Sequence, residues 1–376
     1  MSIWIFNTCV VFVLCVVFAG IIIPKILLIA FRKRLFDVPD ERKIHTSIVP
    51  RLGGIAFKPV VFFSVALLLG VNIVTGHLEV LEAFEKDVRA LAFGFCTIMV
   101  LYLVGMADDL IGIRYRAKFV IQILCGIMLI AGGVWIESLH GVLGIYTLPV
   151  WVAYPFTVLV VVFVINAINL IDGIDGLASG LCSVALIIYG LAFFSLHMYV
   201  YAMLSFATLG VLVPFFYYNV FGNAERGRKI FMGDTGSLTI GMMLCFLGII
   251  LSQSYQYEGT DLPNSIVLAF APMLVPCFDV VRVFLHRIRN GKNPFMPDKS
   301  HIHHKLLALG MKQHWAMITI LFVSLVFSLC NIVLSVYVNV NILLGLDLLI
   351  WIVTNVWLTK QIKRHNSMKN ATVKSA

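Results

Sequence analysis

About eleven apolar runs, separated by short polar segments, decide most of what this 376-residue chain can fold into. Each is long enough for a helix crossing a hydrocarbon core, which takes about 20 residues. The expected fold class is therefore all-α, a polytopic membrane protein of about 11 transmembrane helices. With 60% hydrophobic residues, only 12% charged residues and a mean hydropathy of +0.97, the chain lies far outside soluble usage. The spans are placed near 3–30, 55–75, 90–104, 119–134, from 148 onward, two within 181–217, then 238–251, 266–285, 315–337 and 342–358.

Charge orients these spans. Basic residues follow the first run at Lys25, Arg32, Lys33 and Arg34, which places its carboxyl end in the cytoplasm and the amino terminus outside. The start lacks the basic opening of a signal peptide and carries too long an apolar run for a signal core, so it reads as a retained first span. On this topology the inner loops and tail hold 23 of the 28 Lys and Arg residues, and the outer loops hold two, Lys86 and Arg89. The C-terminus is cytoplasmic. Residues 1–359 form a single integral membrane domain, and 360–376 a basic polar cytoplasmic tail. The eight cysteines all sit inside apolar runs without a CxxC pair, so they read as small hydrophobes and not as a disulfide or zinc framework. No internal repeat supports an inverted-repeat transporter.

The segment VINAINLIDGIDGLASG sets Asn166, Asn169, Asp172 and Asp175 three residues apart. On a helix such a stripe drifts by roughly 60° per step, so the four share a face only where the helix ends. Gly173 and Gly176 offer that ending. Three more clusters fall on the same inner side: Asp108 with Asp109, Asp234 in FMGDTGS, and His301, His303 and His304 in SHIHH. Carboxylates among about twenty basic residues suit a divalent cation together with a phosphorylated substrate, since oxygen ligands hold Mg²⁺ while Lys and Arg hold phosphates. Plainer accounts exist for single members: an acidic helix terminus for Asp108 and Asp109, a cap within the stripe, a turn at Asp234 between Gly233 and Gly236, and exposed loop histidines with zinc as their competing ligand. Asp279 and Arg282, three apart in PCFDVVRV, read as an ion pair that makes membrane burial tolerable. Phe231 reads as packing or as a stacking surface for a nucleobase.

Taken together, PRLGG at 50–54, GMADD at 105–109 with Lys118 and Gln122 downstream, NAINLIDGIDGLASG at 166–180, FMGDTGS at 231–237 and DKSHIHHKLLALG at 298–310 resemble the polyprenyl-phosphate N-acetylhexosamine-1-phosphate transferases, relatives of phospho-MurNAc-pentapeptide translocase. The motifs occur in family order along the inner face. The resemblance implies ten or eleven transmembrane helices, dependence on Mg²⁺ with Mn²⁺ as a substitute, and transfer of a sugar 1-phosphate from a UDP-N-acetylhexosamine to undecaprenyl phosphate with release of UMP. It implies that Asp234 is the main metal ligand, that Asp172 and Asp175 contact nucleotide and metal, and that Asp108 and Asp109 act on the lipid phosphate. Asn166, Asn169, Lys118, Lys43 and Arg51 join the substrate-binding set, and His301, His303 and His304 match the last-loop variant that goes with N-acetylglucosamine-type donors. In relatives an asparagine precedes FMGD by a short turn. Here VFGNAERGRKI intervenes, so Asn219 or Asn223 takes the uracil-side role.

The expected partners are the UDP-sugar, undecaprenyl phosphate, membrane lipids and a second copy of the chain in a homodimer, with no nucleic acid. The expected site faces the cytoplasm from a bacterial inner membrane. Donors of the N-acetylgalactosamine, fucosamine or quinovosamine type are the alternatives to N-acetylglucosamine. A secondary transporter and a non-catalytic assembly platform are the alternatives of other classes.

Overall fold

The computed structural model describes residues 1–35, 49–254, 264–293 and 300–375. Among the described residues the architecture is helical, with one isolated bridge between Ser138 and Thr147. In chain order the helices are α1 (Ser2–Lys33), α2 (Phe57–Val74), α3 (Leu78–Lys86), α4 (Val88–Ile111), α5 (Tyr115–Ala131), α6 (Val150–Ile171), α7 (Leu177–Ser195) and α8 (Tyr199–Phe216). There follow α9 (Gly233–Ser252), α10 (Ser265–Phe270), α11 (Leu274–Arg289), α12 (Ile302–Ala308), α13 (Gln313–Leu334) and α14 (Val340–Ser375).

Ten segments among the described residues are long and apolar enough to cross a membrane, against the eleven expected. The difference falls on the run expected at 119–134. It forms α5, whose 17 residues rise about 26 Å against a hydrocarbon core of about 30 Å. A turn at Gly132 and Gly133, the latter at φ 86°, ends it. The acidic outer stretch after α2 forms the short helix α3, pinned by the buried Val80. The run expected at 266–285 is broken into α10 and α11 by a 3₁₀ turn over Ala271–Met273, where Pro272 removes a backbone donor. At the other end of the chain, α14 continues past residue 359 without a break, so the basic residues that follow from Lys360 to Ser375 continue the helix.

The helix at the centre is α9. Its residues from Thr235 to Ser252 are all buried, because the sequence is small or apolar on every side and leaves no face that needs water. It packs against α4, α6, α7 and α10, while α1 and α8 make the neighbouring layer with α2 and α7. The peripheral α13 and α14 bury far less of themselves and keep exposed apolar side chains such as Phe322, Leu349 and Val353 toward lipid. The cysteines follow the same division and are all free: Cys15, Cys125, Cys182 and Cys245 are buried, Cys277 is half-buried, and Cys9, Cys96 and Cys330 lie exposed on the apolar surface.

Candidate active site

The motifs at one end of the bundle are arranged around the first turn of α9. The segment ahead of it runs beside the PRLGG segment: Phe231 N donates to Pro50 O at 2.8 Å, Gly53 N to Phe231 O at 2.9 Å, and Gly54 N to Met232 O at 3.0 Å. Gly54 lies directly on the backbone of Gly236, and Gly105 of α4 lies on that of Thr235, so a side chain at either place would collide with main chain. Gly233 takes φ 71°, and a Cβ there would strike the Arg51 carbonyl and the Asp109 carboxylate. Three motifs far apart in sequence are thereby closed on one point.

Asp109 closes them electrostatically. Its carboxylate accepts hydrogen bonds from Asp234 N at 2.8 Å, from Thr235 N at 2.8 Å and from Thr235 Oγ1 at 2.6 Å. It occupies the donors that the start of a helix leaves unpaired, where negative charge is favoured. Asp109 therefore positions Asp234, and its oxygens are already taken.

Asp234 is turned toward α5 and α6. Lys118 Nζ lies 2.8 Å from Asp234 Oδ2 and 3.0 Å from Asp108 Oδ2, an ammonium between two carboxylates. Asp108 also accepts from Ile113 N at 2.5 Å. Asn169 Nδ2 donates to Asp234 Oδ1 at 2.6 Å and to Ser237 Oγ at 2.8 Å.

The Asn/Asp stripe fans out and does not line one face. α6 ends at Ile171, and each residue of the stripe meets a different neighbour, as the drift of a three-residue step requires. Asn166 pairs with the buried Gln122 of α5 at 2.6 Å and lies apart from the acidic group. Asp175 pairs with Lys229 at 2.6 Å. Asn219 is buried and uses both ends of its amide on main chain, accepting from Gly176 N at 2.6 Å and donating to Ile230 O at 2.8 Å, whereas the exposed Asn223 accepts from Arg226 N at 3.2 Å. Asn219 thus joins the turn after α6 to the segment before α9. Asp172 alone of the stripe makes no side-chain hydrogen bond among the described residues, although it lies within electrostatic range of Arg51, Asp234, Asp175 and Asp109. Asp172 is exposed to solvent, with protein around it on its other sides. Enclosure pushes its carboxyl up to about 7, opposed by Arg51 and reinforced by the three neighbouring carboxylates.

The histidines form a separate shelf. His303 is buried with both ring nitrogens unpartnered and lies against Gly173, where any side chain would collide with its ring. Its ring is 5.7 Å from that of His301, nearly parallel, and 4.2 Å from that of His304. Burial, with the charges of His304 and His301, pushes the His303 imidazole down to about 3, so it is neutral. Phe231 contributes its backbone to the PRLGG contact, and its side chain is half-buried. Lys43 lies outside the described residues. The sequence reading assigned no role to Lys229, Thr235 or Ser237, although all three stand within or beside FMGDTGS.

No group of three His, Cys, Asp or Glu among the described residues converges as a complete metal-ligand set. Mg²⁺ commonly takes one or two carboxylates and completes its shell with phosphate oxygens and water. Asp234 retains lone pairs beyond its bonds to Lys118 and Asn169, and Asp172 is free of hydrogen bonds, so these two residues fit such an ion.

Glycosyl transferase family 4 matches the chain over residues 91–252, which carry GMADD, Lys118, the Asn/Asp stripe and FMGDTGS. A probable undecaprenyl-phosphate N-acetylglucosaminyl 1-phosphate transferase of Bacillus subtilis is 32% identical over 328 residues, covering 87% of this chain and 84% of that protein. The chain belongs to this family of sugar-1-phosphate transferases. The undecaprenyl-phosphate alpha-N-acetylglucosaminyl 1-phosphate transferase of Haemophilus influenzae is 29% identical, with 88% of this chain and 90% of the relative covered. That of Escherichia coli K12 is 28% identical over 78% of this chain and 74% of its own length.

Proposed function

We propose that the protein transfers N-acetylglucosamine 1-phosphate, or a related N-acetylhexosamine 1-phosphate, from its UDP-sugar to undecaprenyl phosphate. UMP is released, and a lipid-linked cell-surface polysaccharide is begun. The names of the relatives support the transferred group and the acceptor. The observation that carries the reading is the Lys118 ammonium between Asp108 and Asp234, beside the unbonded carboxylate of Asp172. The 23 basic residues that the sequence assigns to the inner loops and tail support a site facing the cytoplasm.

An oxygen of the lipid phosphate attacks the phosphorus that carries the sugar, and the bond from that phosphorus to the UMP oxygen breaks. One phosphoanhydride replaces another. A phosphate monoester is largely dianionic at pH 7, since its second pKa is about 6, so the attack needs no base from the protein. The work left to the chain is positioning and charge neutralisation. Lys118 holds the lipid phosphate, Asp108 holds Lys118, and Asp109 with Asn169 holds Asp234 in register. Mg²⁺, with Mn²⁺ as a substitute, when bound through Asp234 and Asp172 neutralises the donor diphosphate.

The unbonded Asp172 also supports a two-step route in which it takes the sugar phosphate before the lipid does. Phosphorylated protein isolated after incubation with UDP-sugar alone would identify that route. The deciding experiment for the function is UMP release by purified protein with undecaprenyl phosphate, Mg²⁺ and a panel of UDP-sugars. Release that requires lipid, metal and one donor is expected. Solute uptake into proteoliposomes without any UMP would overturn the reading in favour of a transporter.

A further inference from the structure

Asp279 of α11 has no exposed surface, yet its carboxylate gathers three donors from two parts of the chain. Arg282 Nη2 donates to Oδ1 at 2.7 Å, Ile302 N donates to the same oxygen at 3.0 Å, and His301 Nδ1 donates to Oδ2 at 2.8 Å. Arg282 reaches on to the Ser300 carbonyl at 2.5 Å, so the chain on both sides of His301 is tied to α11. Because Nδ1 carries the hydrogen bonded to Asp279, the tautomer and ring plane of His301 are set from α11. The His301 ring lies nearly parallel to that of His303, and His303 closes on Gly173, the residue after Asp172. One fully buried carboxylate is thus two side chains removed from the acidic floor, with a continuous contact path between them.

We propose that Asp279 is a positioning residue for the transfer reaction: acting through His301, it seats α12 so that His303 bears on the turn 172–176, and it thereby sets affinity for the sugar nucleotide. This rests on the transferase reading above. α12 leans on the turn that holds Asp172 and Asp175, whereas the partners of Lys118 are on α4 and α9. Disturbing Asp279 therefore acts on the donor and leaves the lipid phosphate as it was.

The test is a double-mutant cycle with Asp279→Asn and His301→Gln in the full-length protein, reading KM for the UDP-sugar and for undecaprenyl phosphate separately. Each single variant is expected to raise the donor KM roughly tenfold with the lipid KM unchanged, and the double variant to be no worse than the poorer single one. Asp279→Glu, which keeps the acceptor, is expected to recover part of the loss. Additive effects, or equal rises in both KM values, would overturn the proposal and leave Asp279 as a fold-stabilising residue only. Should Asp279→Asn not fold, Arg282→Gln replaces it in the same cycle with the same two outcomes. Wild-type protein that releases no UMP with any donor would instead overturn the transferase reading itself.

Discussion

Two charged clusters lie at one end of this bundle, and they differ in how far water reaches them. In the first, Lys118, Asp108 and Asp234 keep 21%, 12% and 25% of their side chains exposed. In the second, Asp279 is wholly enclosed and His301 retains only 6%. A partly exposed cluster can trade a partner for a substrate, because water and mobile ions share its charge. An enclosed cluster cannot, since removing one member strands a buried charge. On the proposed reading the first is rearranged at each turnover, and the second stays as it is.

The largest effect that would sharpen this contrast is on turnover. Asp234→Asn is expected to lower UMP release on the order of 10³-fold while thermal unfolding in detergent hardly moves, since its loss removes charge at the reacting phosphates. Full activity of that variant at limiting Mg²⁺ would break the assignment. Next comes stability: Asp279→Ala is expected to cost about 3 kcal/mol, whereas Lys118→Met costs about 1 kcal/mol or less and shows its defect in turnover. Equal losses of thermal stability in the two variants would erase the distinction between the clusters.

A third test uses pH. Burial holds His303 down to about 3, below its unfolded value of about 6.5. Above pH 6.5 neither the folded nor the unfolded form binds the proton. As pH falls from 6.5 toward 3 the unfolded chain binds it and the folded one does not, so stability is lost on acidification. The loss is about 2 kcal/mol between pH 8 and pH 5. His303→Gln should flatten that limb of the stability curve, and an unchanged slope would refute the assignment. The smallest effect is expected at Asn166→Ala: its bond to Gln122 is worth about 1 kcal/mol, and KM for either substrate should stay as in the wild type. A large rise in KM would return Asn166 to the substrate site.

These comparisons also show which parts of the molecule could be read without coordinates. The spans were legible because each apolar run is continuous and long, and the sharing of a single end by Asp108, Asp172 and Asp234 followed from the charge asymmetry of the loops. The break between α10 and α11 was not read from the sequence, where 266–285 passed as one apolar run; Pro272 in the turn between the two helices accounts for it. The division of labour among the acids was not legible. Asp108 and Asp109 are adjacent in sequence, yet one holds Lys118 and the other caps α9, because neighbouring residues on a helix point about 100° apart toward different partners. The Asn/Asp stripe misled for the same reason: a repeat of three looks like one face, and the geometry of α6 delivers Asn166 to α5 and Asn169 to α9.

By itself, then, the sequence determined an all-helical membrane protein of about eleven apolar runs, ten of them in segments long and apolar enough to cross a membrane, and it also carried the family, whose motifs survive in order at 32% identity to a relative. Apolar length and composition suffice for the first, and short local motifs for the second. Only the tertiary structure decided which carboxylate is bonded and which is free, and that Asp279 reaches the histidines across the loop between α11 and α12. Hydrogen bonds between residues 22 to 126 positions apart depend on how helices pack, and no local pattern in the chain records where their partners lie.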